Sequence, residues 1–183
     1  MNATKHLMIE HESVLKMLEI MTAVANQLNN GENLPAGDLE DILLFLRVFV
    51  DKCHHGKEEN ILFPKLVEIG IPNEGGPVGM MLHEHVIGRG YIAGFAAGTA
   101  KYKAGDKEGA KEITENIKGY SDLLTSHIFK ENNVLYKMAD MHLTSQDQTA
   151  LMERFEQLQE VVLGQGKYEE YKLSLERIAQ QYL

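Results

Sequence analysis

Eight histidines stand in a chain of 183 residues that has no tryptophan and only 7 % aromatic side chains. Their spacing is what could do chemistry. His54 with Glu58, and His127 with Glu131, are two HxxxE pairs. Four residues turn a helix by about 400°, so each imidazole and its carboxylate face the same way, one turn apart. His11 falls on the apolar stripe of another helical stretch. A fourth stretch offers His83 and His85, roughly 200° apart, so only one of them faces inward. A single core histidine is usually a hydrogen-bonded packing residue, and a single HxxxE pair is usually a weak surface pair. Two such pairs on core faces, with inward imidazoles on two further helices, argue against both readings at once. Buried imidazoles and carboxylates are costly unless something compensates them. A metal centre does so, and imidazole plus carboxylate without thiolate suits iron, manganese or zinc. Two carboxylates able to bridge and at least four imidazoles exceed what one ion needs, which points to a dinuclear site.

The elements that must position these residues are helical almost throughout. Residues 3–29 place Leu7, Met8, His11, Val14, Leu15, Leu18, Met21 and Ala25 on one face at i, i+3, i+4 spacing. After the break NNGENLPAGD, Asp38 is expected to cap a second helix running to about Val67, whose inward stripe reads Leu43, Leu46, Val50, His54, Glu58 and Ile61. GIPNEGGPVG is the second break. A third helix is expected from about Val78 to Tyr102, and a fourth from about Lys107 to Met141 with Ile113, Ile117, Tyr120, Leu124, His127, Glu131, Leu135 and Met138 on one face. No alternating strand pattern occurs. The expected fold is all-α: an up-down-up-down antiparallel four-helix bundle over residues 1–143, with two additional short helices in 144–183 packed on it as an appendix. No full-length internal repeat is evident.

The segments IEHESVL, CHHGKEENILFP, LHEHVIGR and HIFKENNVLY resemble the hemerythrin-like family of HHE cation-binding domains over about residues 5–141. The resemblance implies a cofactor of two non-heme iron ions, oxo- or hydroxo-bridged, inside the bundle. It further implies His11, His54, His85 and His127 as terminal ligands and Glu58 and Glu131 as bridges, with His11 and His54 on one iron and His85 and His127 on the other. It also decides for His85 over His83. The faces alone leave that choice open, because both carry apolar residues. Two departures from the oxygen-carrying members stand out. Arg89 occupies the position of a further histidine, and the fourth helix carries HxxxE in place of a longer spacing to aspartate. His55, about 100° round the helix from His54, is then either a third nitrogen on the second iron or a neighbour of the site that leaves this iron a free position.

Composition narrows the partners. Eighteen Lys and Arg against 27 Asp and Glu give a formal charge of -9, unsuited to gripping a phosphate backbone, so no nucleic acid is expected. No apolar run approaches the roughly 20 residues of a membrane span. The N-terminal MNATKHLMIEHE lacks the zones of a secretory signal, which makes the cytoplasm the expected location. Cys53, alone, excludes a disulfide framework and a multi-cysteine zinc site, and reads as a packing residue. The methionines Met8, Met17, Met21, Met80, Met81 and Met138 read as core. GRGYIAG lies within a helix and is no dinucleotide loop. Gly90, Gly94 and Gly98 permit close helix packing or a narrow ligand path. The expected function is binding of, or reaction with, O2, peroxide or NO: oxygen binding, sensing or stress protection. The alternative is a di-iron oxidoreductase or iron-handling protein, such as a peroxidase, ferroxidase or iron donor. A regulatory docking module is the third reading.

Overall fold

The computed structural model describes residues 2–183, and among them every element is helical. The first is α1 (Ala3–Asn29), where the Asn2 side chain accepts from the Lys5 amide at 3.0 Å. Next comes one long rod of four joined pieces: α2 (Ala36–Leu44), the π-wound segments π1 (Phe45–His55) and π2 (Glu58–Leu62), and α3 (Phe63–Glu68). After α4 (Pro77–Lys103), a second composite rod runs through α5 (Glu108–Lys130), π3 (Glu131–Leu135) and α6 (Tyr136–His142). The C-terminal pair is α7 (Ser145–Leu163), opened by a Thr144–Asp147 capping box, and α8 (Tyr168–Tyr182). Gly31 and Gly105, just beyond α1 and α4, take φ of 81° and 79°, which turns the chain where the sequence breaks were expected.

Asp38 does not cap the second rod. Pro35 stands at that position, and the Asp38 carboxylate instead accepts from Gln181 Nε2 at 2.6 Å and Tyr182 Oη at 2.7 Å. It is thus spent on fastening α8 to α2. Leu15 and Met80 are exposed rather than core, because the buried face of α1 runs through Met17, Ile20, Val24 and Leu28 and that of α4 through Met81 and His85. Met8 and Met138 are only partly buried. Cys53 is fully buried.

The glycines of α4 serve close packing. A Cβ on Gly94 would stand 2.2 Å from the Asn116 side chain, and one on Gly98 would stand 2.9 Å from the Ile113 backbone. Gly88 lies against Tyr120, so residue numbers fall along α5 as they rise along α4 and the two helices run antiparallel. Gly90 faces open space.

Two apolar clusters divide the interior. One contains Val14 to Leu28 of α1, Leu39 to Cys53, Ile92 and Phe95, and Ile113 to Ile128. The other contains Leu7, Ile61 to Leu66, Val78, Met81, Leu135, Tyr136 and Ala139. The C-terminal pair joins both: Leu163, Leu175 and Ile178 enter the first, Leu151 and Phe155 the second. On each of the four long rods, the inward histidines and glutamates lie where one cluster gives way to the other.

Candidate metal centre

The six residues expected as ligands converge, and His55 joins them. His11, His54, Glu58 and Glu131 each offer one ligand atom within 4.8 Å of the others, and so do His55, Glu58, His85 and His127. Every one is buried. Glu58 belongs to both groups. Glu131 also spans them: its Oε2 lies 3.2 Å from His11 Nε2 and its Oε1 3.2 Å from His127 Nε2. Glu58 Oε2 lies 3.4 Å from His85 Nε2 and 3.8 Å from His54 Nε2. His83 is exposed and lies outside both groups.

Outer partners aim the imidazoles. His54 Nδ1 is 2.9 Å from Glu10 Oε2, His85 Nδ1 2.7 Å from Glu59 Oε1, His127 Nδ1 2.8 Å from Glu84 Oε2, and His11 Nδ1 2.8 Å from Asn132 Oδ1. These oxygens only accept, so each Nδ1 donates, and in the neutral ring each Nε2 turns a lone pair inward. Cations back the carboxylates: Lys57 on Glu10 at 2.5 Å, Arg89 on Glu59 at 2.7 Å, and Lys130 on Glu84. Arg89 also donates to Asp51 at 2.8 Å. It therefore acts as a clamp on two outer carboxylates, itself partly exposed. Tyr136 Oη donates to Glu58 Oε1 at 2.5 Å, and its ring stacks on His11 with centroids 5.7 Å apart.

The two halves repeat one pattern. Glu10-His11 faces His54-x-x-Lys57-Glu58, and Glu84-His85 faces His127-x-x-Lys130-Glu131. In each, the glutamate before one histidine receives the Nδ1 of the other. The residue after each of Glu58 and Glu131, Glu59 or Asn132, receives the remaining Nδ1 from the opposite half. Five residues past each carboxylate stands a ring: Phe63 stacks on His85, and Tyr136 on His11. Even the backbone repeats, since π2 and π3 both begin at the carboxylate and last five residues. π-bulges gather at functional sites, and their wider turn alters which neighbours share a face. At the end of π1, His54 and His55 both point inward.

Charge and proton placement fit a cation. Glu58 Oε2 and both Glu131 oxygens are buried without a hydrogen-bond partner, as is His55 Nδ1. The Nε2 atoms of His11 and His54 are 3.0 Å apart, and those of His85 and His127 3.1 Å, so lone pair faces lone pair once the rings are neutral. Against its burial, the Glu131 and Glu84 charges raise His127, and a bound cation would displace that proton. Two nitrogens bound about 2.1 Å from one ion at a right angle stand about 3.0 Å apart. Burial pushes the His54 imidazole down to about 4 and, with the neighbouring imidazoles, carries His55 well below its ordinary value, which leaves both neutral for ligation. Burial and then the Glu131 charge push Glu58 well up. Burial opposes ionisation of Glu131 too, but His127 and His11 hold it well below the carboxylate range.

The hemerythrin HHE cation-binding domain family matches residues 2–139. The chain belongs to that family. Among curated proteins and solved structures no match to the chain is found. As a hemerythrin HHE domain it carries a buried His/Glu cluster able to bind metal cations. No described helix is long and apolar enough to cross a membrane.

Proposed function

We propose that this hemerythrin HHE domain holds two iron ions and binds or reacts with O2, peroxide or NO, in oxygen binding, sensing or stress protection. In this reading the scaffold, residues 1–143, is an up-down-up-down four-helix bundle, with 144–183 packed on it. The observation that carries it is the close approach of two pairs of Nε2 atoms, His11 with His54 and His85 with His127, both beside Glu58, which is common to the two groups. His11 and His54 would hold one ion, His55, His85 and His127 the other, and Glu58 and Glu131 would span them. Bound there, the ions would supply reversible electron transfer to a small oxidant or a place for a diatomic ligand.

The chain's own residues do the rest. Glu10, Glu59, Glu84 and Asn132 keep the imidazoles aimed and their lone pairs free. The two apolar clusters exclude water from both ends. The His11/His54 group has two nitrogen donors against three in the other, which favours it as the place for an exogenous ligand. Tyr136, stacked on His11 and bonded to Glu58, is the proton-bearing group beside that place. Optical spectra of the anaerobically reduced, iron-loaded protein test the reading. New bands on adding O2, peroxide or NO are expected, and a spectrum unchanged by all three would contradict it.

A further inference from the structure

Lys57 is a fully buried cation that the centre does not need as a ligand. Its ammonium has three protons, and each has a partner: Glu10 Oε1 at 2.5 Å, Gln159 Oε1 at 2.9 Å and His6 Nε2 at 3.0 Å. The Tyr168 ring lies over it, 5.9 Å from nitrogen to centroid. Two of these partners, Gln159 and Tyr168, come from the C-terminal helices α7 and α8. On the inner side, the same Glu10 receives His54 Nδ1. A continuous chain therefore runs from His54 through Glu10 and Lys57 to α7. The ligand-bearing turn is also touched from outside, for the Leu158 methyls lie 3.6 and 3.7 Å from where a Gly56 Cβ would stand.

The repeat supplies an internal control. Lys130 occupies the same place in HxxxE as Lys57 and bonds Glu84, which receives His127 Nδ1. Its side chain is 30 % exposed, and among the described residues no α7 or α8 side chain bonds it. Arg89, on Glu59, is likewise partly exposed. The same device thus ends in solvent on one half and in the C-terminal helices on the other.

We propose that Lys57 is a positioning residue that couples the seating of α7 and α8 to the His11/His54 half of the centre. An ion held by His54 fixes its ring, hence Glu10, hence Lys57, and so the partners that α7 and α8 provide. Linkage makes the effect reciprocal: loosening α7 lowers the hold on that ion by the same factor by which the ion tightens α7. The Glu84–Lys130 relay of the other half lies outside this coupling. The inference rests on the metal-centre reading.

The test is amide hydrogen exchange of the full chain, metal-free and loaded with ferrous iron under anaerobic conditions, together with iron content per chain. In the native sequence, iron is expected to slow exchange in α7 by about tenfold, alongside slowing in α5 and π1. Gln159→Met, a change at a partly exposed position, should abolish the slowing in α7 and keep it in α5. Lys57→Met should retain one ion where the native chain retains two, whereas Lys130→Met should leave the slowing in α7 intact. A merely structural role for Lys57 would lower the melting temperature without changing ion number or the α7 response. Should Lys57→Met fail to fold, Gln159→Met against Lys130→Met decides. Two bound ions with α7 exchange unaffected by iron, or equal effects of Gln159→Met and Lys130→Met, would overturn the coupling alone. A native chain that binds no iron at all would overturn the metal-centre reading and the coupling with it.

Discussion

The two halves of the centre are built from one pattern and differ at a few positions, and those differences set which donors each group offers. His55 stands where the other half has Ile128, so one group gains a third imidazole. Tyr136 stands where the other half has Phe63, so only Glu58 receives a hydroxyl proton, while both oxygens of Glu131 stay without a hydrogen-bond partner. Asn132 stands where the other half has Glu59, so His11 leans on a neutral amide and His85 on a carboxylate. Lys57 is closed over by α7 and α8, and Lys130 is open to solvent. Shared parts set the donors in place. The unshared parts make one half richer in nitrogen and leave the other with a hydroxyl beside it.

The largest expected effect breaks what the halves share. Glu131→Ala removes a carboxylate that touches both, so it should abolish binding of both ions. His54→Ala should also lose metal. In each case the partners left unpaired cost roughly 2–3 kcal/mol, or about 5–10 °C in melting temperature at this chain length. Elemental analysis and calorimetry check both, and undiminished iron in both variants would show that the inward faces are misassigned. His55→Ala breaks the main difference. Selective loss of one ion is expected, whereas two retained ions with an unchanged spectrum would remove His55 from the donor set.

A pH effect of intermediate size belongs to the protein without metal. The folded state holds the His54 imidazole at about 4 against an ordinary 6.5, so the unfolded chain binds the extra proton first. Its contribution to stability is full above about pH 6.5 and is lost as pH falls toward 4, by about 3 kcal/mol. His55 acts in the same direction. His127, raised by the Glu131 and Glu84 charges against its burial, acts oppositely, since its contribution is lost as pH rises. Denaturant titrations of native and His54→Gln proteins between pH 7 and 4 should show a shallower decline in the variant. Tyr136→Phe makes the halves alike at one position. Both ions should stay bound, with stability lowered by about 1–2 kcal/mol as Glu58 Oε1 loses its donor. Loss of an ion would give Tyr136 a larger part than holding Glu58.

Much of this was legible in the chain. The i, i+4 pairs and the apolar stripes carry His54, Glu58, His127 and Glu131 to the interior, and helix ends fall at the glycine breaks. Other features escaped for physical reasons. A stripe drawn at 100° per residue cannot show His54 and His55 both pointing inward, because that requires the π-wound turn. Glu10, Glu84 and Lys57 carry no pattern of their own along one helix, because charged residues beside a core stripe are usually solvated. Yet a signal was present: HHGKEENILF and HIFKENNVLY align position by position, lysine included, and each glutamate before a ligand-bearing stripe recurs with its histidine. Asp38 misled because a cap and a first-turn residue share the same preference for acids. Its true partner, α8, lies over a hundred residues away and leaves no local trace.

The most direct test of a dinuclear centre spanned by Glu58 and Glu131 is the metal content of natively loaded protein, measured by elemental analysis. About two ions per chain, mainly iron, are expected from the two donor groups; a single zinc per chain without iron would contradict it.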